Sequence, residues 1–400
     1  MGGWPTEQAQ ANAGPLAGVR VLDLTRNLPG PYCTLLLANL GAEVTKVEDP
    51  WTGDPTRSMP PYRDGVGAKH LGLNRNKRSL AIDLKRRQGR EVLYRLAERS
   101  DVFLEGFRPG VARRLGFDHE TLSALNPGLV YCSISGYGQD GPLGQAGGHD
   151  LNYVATAGLL SLAGKPSVPG VQVADLGGGA LLAAVGILAA LRHRDRTGEG
   201  QYVDISMTDG ALSWLSLFAA DYLLAGEGPQ ESPITGRYAC YNLYRAKDGR
   251  YLSVGALEPH FWQEFCRLIG REDLAVEQFA GPPRRERIVA AVGEAIERRT
   301  AAEWLELAAG RDACVALVNT LEEALSHPQI VHRGMVAETQ GPRGEGVRHL
   351  ACPVKLSRTP AAPPGRAPGL GEHTRAVLRE LGYSDAKIEN LAAEGVARLG

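Results

Sequence analysis

Short apolar runs alternate with helix-period stretches through the first half of the chain. Val19–Thr25 predicts a strand, Pro31–Leu40 a helix stopped by Gly41, and Glu43–Glu48 a second strand. Ser79–Leu84 predicts a third strand. The helix after it, Arg87–Glu98, gathers Val92, Leu93 and Leu96 on one face. Asp101–Phe107, Leu129–Ser135 and Tyr202–Met207 continue the series of strands. A long helix over Gly177–Arg194 precedes the last of these, and another over Asp209–Leu224 follows it. Strands that alternate with helices predict an α/β fold with a mostly parallel, doubly covered sheet.

The pattern breaks into Gly, Pro and Ser around Gly226–Thr235, which predicts a domain boundary. Beyond it, Gly236 to Pro328 mixes short strands such as Tyr251–Val254 with charged amphipathic helices, as in a smaller α+β domain. Arg358–Gly371 has the composition of a Pro/Gly linker, and Glu372–Arg398 reads as a final helical piece. The run Leu176–Leu191 is the most apolar of the chain. Its Gly and Ala content, its length and the flanking Arg192, His193 and Arg194 favour a buried helix over a membrane span.

Composition narrows the function classes. A hydrophobic share of 43% over 400 residues supports large cores, and a net charge of −1 gives no global signature of nucleic-acid binding. Residues 1–14 lack the basic start and apolar core of a signal peptide. The six cysteines form no CxxC or other metal spacing, so reduced thiols and a cytoplasmic protein are expected. Gly136 to Gly141 matches GxGxxG after a strand, but Pro142, Gly144, Gly147 and Gly148 follow where a helix should open. The segment reads as a loop, not a dinucleotide fingerprint. No metal and no tightly bound redox cofactor are expected.

Four segments carry candidate chemistry: Leu73–Ser79 (LNRNKRS), Gly148–Tyr153 (GHDLNY), Ala174–Gly179 (ADLGGG) and Gly255–His260 (GALEPH). Singly, each also has an ordinary structural reading. A His-Asp pair sits in many loops, Asp175 can cap a helix, and Glu258 before Pro259 suits a helix start.

In this order, with Pro29-Gly30-Pro31, Asn39–Val44, Glu105–Gly110 and Asn126-Pro127, they resemble the class III CoA-transferase (CaiB/BaiF) superfamily, and its alpha-methylacyl-CoA racemase branch in particular. The resemblance runs from Pro15 to about Pro353. It implies a Rossmann-like large domain built from residues 15–225 and 331–400, a small domain over 226–330, and an interlocked homodimer.

It implies an acyl-CoA thioester as substrate, with coenzyme A entering as part of it. In the racemase version, His149 and Asp175 act on opposite faces of the α-carbon in a two-base 1,1-proton transfer through an enolate. Glu258 orients His149, and Asp150 is a second carboxylate near Asp175. Backbone N–H groups after Asp175 hold the enolate oxygen, and the three glycines permit close substrate approach. In the transferase version, Asp150 attacks the thioester, forms an aspartyl-acyl anhydride, and passes CoA to a free carboxylic acid acceptor.

The resemblance also places CoA against Leu73, Arg75, Ile82, Asp83, Leu84, Lys85, Gly106, Arg108, Arg114 and Tyr153. Arg75, Arg108 and Arg114 are the expected phosphate contacts. One position departs from the racemase branch: Asp49 stands where racemases carry a basic residue, and Gly53–Arg57 is closer to the transferases. No nucleic-acid or membrane partner is expected.

Overall fold

The structure is a computed structural model, and it describes residues 14–162, 166–228, 232–340 and 345–400. Two compact units form. The first holds 14–157, 169–214 and 331–400, and the second holds 158–168 and 215–330.

Six parallel strands make the first unit's sheet: β1 (Arg20–Asp23), β2 (Glu43–Glu48), β3 (Lys77–Ile82), β4 (Val102–Glu105), β5 (Val130–Ser135) and β6 (Tyr202–Ser206). Their spatial order is β3-β2-β1-β4-β5-β6. This is the doubly wound arrangement, in which the order reverses between β1 and β4 and leaves a crevice beyond the strand ends. Val21 sits at the reversal, paired with Val44 on one side and Val102 on the other.

The helices of this unit are α1 (Pro29–Asn39), α2 (Ala68–Leu73), α3 (Arg87–Ala97), α4 (Val111–Leu115), α5 (His119–Leu125) and α6 (Asp150–Thr156). A π-helical stretch, Val173–Leu181, then runs into α7 (Leu182–Thr197), and α8 (Met207–Ser213) follows β6. Gly41, at φ +103°, takes the left-handed turn that ends α1. Val173–Thr197 is long and apolar enough to cross a membrane by length and composition. Here it packs on the sheet, so closely that a Cβ on Gly186 would lie 2.8 Å from Val203 of β6.

The tail is not a linker followed by one helix. Residues 358–369 form an irregular strap bonded to the unit: Ala362 N–H donates to Asn39 O at 2.7 Å, and Asn76 N–H to Arg366 O at 3.3 Å. Two short helices, Thr374–Glu380 and Asp385–Ala393, then lead to Ala397–Arg398, which pairs antiparallel with β3 and caps the sheet edge. A hairpin of Val336–Gln340 with Gly346–Leu350 was not foreseen by the alternation either.

The second unit is α+β. Tyr241–Arg245, Tyr251–Gly255 and Val315–Leu317 form a three-stranded antiparallel sheet. Helices Pro259–Ile269, Arg284–Ile296 and Ala301–Ala308 enclose a core centred on the buried Trp262, Phe265 and Trp304. The predicted helix over 209–224 is broken: α8 ends at Ser213, and Ser216–Ala220 continues into a π-helical turn, Asp221–Ala225.

The glycines after Asp175 serve helix packing. A Cβ on Gly178 would lie 2.7 Å from Met207 O and 2.8 Å from Ala211 N, and one on Gly210 would lie 2.2 Å from Gly178 O. The π-helical stretch and α8 thus meet backbone to backbone. Gly177 is covered by the Trp214 ring, at 2.4 Å from such a Cβ, and Gly179 by the Met207 side chain. The sequence expectation that these glycines admit substrate is therefore corrected: their missing side chains are filled by α8 and Trp214.

Gly210→Ala should destabilise the protein by about 1–3 kcal/mol or more, because backbone cannot yield as a side-chain tip does. Gly293→Ala, inside Arg284–Ile296 with only the Tyr244 ring at 4.0 Å, should be neutral or stabilise by about 0.5–1 kcal/mol. Urea denaturation of the two variants checks this. Equal losses would refute the close-packing account.

Candidate functional site

The turn from β1 into α1, Thr25–Pro31, is fixed by buried charge. Asp23 accepts from Thr25 N–H at 2.9 Å and from the Thr34 hydroxyl at 2.6 Å. Lys77 lies 3.4 Å from Asp23 and donates to Pro31 O at 2.9 Å. Lys46 donates to Thr25 O at 2.7 Å and pairs with Asp54 at 3.0 Å. Burial opposes ionisation of Asp23, but Lys46 and Lys77 outweigh it and lower its pKa. Burial pulls Lys77 down to about 8, with Asp23 resisting. The sequence signal was there: charged residues interrupt apolar strand segments at Asp23 and Lys46, where they are tolerated inside only if paired.

Two cavities of the first unit meet this turn. The smaller, about 340 Å³, lies at the crevice where the strand order reverses, and is lined by Thr25, Gly106, Phe107, Arg108, Tyr137, Gly148, His149, Tyr153 and Asp175. The larger, about 1130 Å³, is walled mainly by apolar residues of α1, α2 and the 336–350 hairpin. Asn27 and His149 line both.

His149 precedes α6, and its backbone is held there. Its N–H donates to Asn152 Oδ1 at 3.1 Å, and its carbonyl accepts from Asn152 N–H at 2.8 Å. Its side chain is exposed. Asp150, the first residue of α6, is 9% exposed and accepts from Asp175 N–H at 3.0 Å. It lines neither cavity.

Asp175 is half-buried on the smaller cavity. Burial raises its pKa to about 6, the nearby Asp150 adds to the rise, and His149 opposes it. Near neutral pH its carboxyl is thus poised between proton donor and acceptor. The helix starts at Val173, before Asp175, and the Leu176 N–H donates to Gln172 O at 3.1 Å. The N–H groups of Asp175 and Leu176 are both engaged within the protein, so the expected enolate donors just after Asp175 are not offered there.

Tyr153 is wedged between glycines. A Cβ on Gly136 would lie 2.4 Å from its ring, and one on Gly148 2.7 Å. Its hydroxyl donates to Gly148 O at 2.6 Å, and burial first, then Asp175, keeps the phenol protonated with a pKa pushed up to about 12. Arg108 extends along the wall, its guanidinium 2.9 Å from where a Gly147 Cβ would stand. Glu105 steadies the approach to Arg108: it accepts from Phe107 N–H at 2.6 Å and from the Ser133 hydroxyl. Burial pushes Glu105 up to about 7. Sequence reasoning missed Arg26, which lines the same cavity with its guanidinium 5.6 Å from the Phe107 ring centroid. Its signal was an arginine directly after the predicted strand Val19–Thr25.

The structure therefore brings His149, Asp175, Tyr153, Gly106 and Arg108 to one cavity, and His149, Leu73 and Arg75 to the other. Ile82 is a core residue at 2% exposure, and Leu84 packs against the same core. Asp83 closes its own turn by accepting from Lys85 N–H at 2.9 Å. Residues 82–85 and the exposed Arg114 line neither cavity. Glu258 belongs to the second unit, where it is exposed before Pro259–Ile269 and, after burial, is the main charge raising the Cys314 thiol. Among the described residues no cluster of His, Cys, Asp or Glu is arranged to hold a metal ion.

The profile of CoA-transferase family III matches residues 16–374. Alpha-methylacyl-CoA racemase of Mus musculus is 38% identical, over 95% of this chain and 97% of its own. Succinyl-CoA:glutarate CoA-transferase of the same organism is 35% identical, over 96% and 90%. A CAIB/BAIF family protein from Brucella suis, solved by crystallography, superposes with a TM-score of 0.80 at 33% identity, covering 92% of this chain and 99% of that one.

The raised pKa of Asp175 has a stability consequence. An acid whose pKa is higher in the folded state destabilises the fold once it ionises. That cost is absent below the unfolded value near 3.8 and complete above about 6. Asp175→Asn should therefore be more stable than the parent at pH 7.5, by about 1–3 kcal/mol after allowance for solvent screening, and equal to it below pH 4. Urea melts at both pH values test this, and a difference independent of pH would contradict it.

Proposed function

The chain belongs to CoA-transferase family III, and on that premise we propose that it is an acyl-CoA racemase acting through His149 and Asp175. The observation that carries the proposal is that these two acid/base groups line one cavity, with the Asp175 carboxyl raised to about 6. One group removes the α-proton, and the electron pair moves onto the thioester oxygen as an enolate. The other group, protonated, returns a proton to the opposite face. For either enantiomer, the group on the side of the α-proton must be unprotonated and the group on the opposite side protonated. The thioester sits at His149, with the pantetheine arm along Tyr153, Gly106 and Arg108 and the acyl chain toward the larger cavity.

The second reading is CoA transfer, supported by the likeness to a CoA-transferase over nearly the whole chain. Placed as it is, Asp150 is a poor nucleophile, because it is buried and holds the Asp175 N–H. On this geometry the anhydride would form at Asp175: a carboxylate oxygen bonds to the acyl carbon and CoA leaves as its thiolate.

Proton NMR of (2S)-2-methylbutanoyl-CoA in D2O, without added acid, tests the assignment. The α-proton signal should vanish while the thioester stays intact, and His149→Ala should slow that exchange by about 100-fold or more. No exchange, together with new acyl-CoA species on adding free carboxylic acids, would install the transferase reading instead.

We further propose a homodimer. Leu181, Val185 and Leu188, four and three residues apart, present one exposed apolar stripe along the π-helical stretch and α7. Val185→Glu should lower the sedimentation mass from two chains to one, and an unchanged mass would rule out this stripe as the contact.

A further inference from the structure

Arg75 follows α2 and is 4% exposed. One guanidinium nitrogen, Nη2, donates to Leu350 O at 2.9 Å, which ties Arg75 to the 336–350 hairpin. Its Nε is buried without a hydrogen-bond partner. Burial alone pulls its pKa down, with no carboxylate acting on it among the described residues. Buried charges in proteins are otherwise paired or engaged by a ligand, because an uncompensated one is costly. This one lies on the wall of the larger cavity.

The surroundings fit an anion with an apolar body. Leu28, Leu36, Met59 and Val347 supply apolar walls. Lys69 and Arg348 add positive charge at the same cavity, while Arg63 is taken up by Glu345 at 3.0 Å. The His349 ring has its pKa lowered by burial and then by Arg75 and Arg63, which marks the field there as positive. A CoA phosphate is a weaker match. It brings no apolar chain to fill the cavity.

We propose that Arg75 anchors the carboxylate of an organic acid whose carbon chain occupies the larger cavity beside His149. The identity of that acid rests on the acyl-CoA reading of the site: it is either a free carboxylic acid or the far carboxylate of a dicarboxylic acyl-CoA. The binding itself does not require turnover.

Calorimetry on the intact protein tests it with alkanoates from butanoate to decanoate, each beside its neutral amide. The acids should bind at least tenfold more tightly than the amides. Arg75→Met should reduce the acids to the level of the amides and leave free CoA within twofold. Arg75→Lys, which keeps the buried cation but loses the planar fork, should fall between, and it stands in if the Met variant does not fold. His149→Ala should keep the binding, so a failed α-proton exchange and a failed anchor are told apart.

Glutaryl-CoA compared with pentanoyl-CoA separates the two sources. A rise in KM for glutaryl-CoA alone in Arg75→Met assigns the far carboxylate. An unchanged ratio, with lost alkanoate binding, assigns the free acid. Equal binding of acids and amides to the unaltered protein, or a tenfold loss of CoA affinity with alkanoate binding intact, would overturn the proposal.

Discussion

The geometry of both cavities depends on four buried charges, Asp23, Lys46, Asp54 and Lys77. They balance two against two. Left unpaired, any of them would favour water over the interior by several kcal/mol. Paired, they bring Thr25 O under Lys46 and Pro31 O under Lys77. The chain between those carbonyls is the turn that supplies Asn27 to both cavities and Thr25 to the smaller. The network reaches further: Glu48 accepts from Ser79 at 2.6 Å and pairs with Arg57 at 2.8 Å, and Arg57 donates to Pro368 O of the strap. The C-terminal segment is thereby tied to the same charge centre as the cavity-facing turn.

A second constraint sets the Asp175 carboxyl. Asp175 sits in the wide π-helical stretch, where the chain carries an extra residue per turn relative to an α-helix. The stretch is pinned against α8 by glycines on both sides, so its backbone has little room to shift. Asp150 then plays two parts at once. Its oxygen holds the Asp175 N–H, and its charge raises the Asp175 pKa. Position and proton affinity come from one neighbour, and that neighbour is itself kept off the cavity wall.

The sheet was legible because its strands are short, apolar and separated by helix-period stretches. Glu43–Glu48 is observed as predicted, and Leu129–Ser135 and Arg87–Glu98 each differ by one residue at one end. His149, Asp175 and Tyr153 were marked by motif and do meet at one cavity. Other parts were not legible. Ala397–Arg398 is too short to show a period, and its edge pairing is a tertiary fact. The glycines after Asp175 look alike whether they face a substrate or a helix, and only the position of α8 decides. Ile82 carries no sign in the sequence that its side chain is buried in the core. Arg75 sits in a basic run that reads as a phosphate clamp, and its burial and its bond to Leu350 O, 275 residues away, could not be read from that run.

These placements bear on how the protein can choose its substrate. Apolar walls discriminate weakly, at about 1–3 kcal/mol per methylene, so the larger cavity by itself separates neighbouring acyl chains by factors of tens. A buried polar group left unpaired by the wrong ligand discriminates far more strongly, because the penalty falls on the protein as well as on the ligand. Arg75 is such a group on that wall, and its Nε stays unsatisfied until something accepts from it. The chemistry proposed at His149 and Asp175 asks only for an α-proton or a thioester, and these do not distinguish one 2-methylacyl chain from another. With the proposed anchor, selectivity belongs to the far end of the cavity, where the Arg75 guanidinium would decide whether the chain that enters must carry a charge.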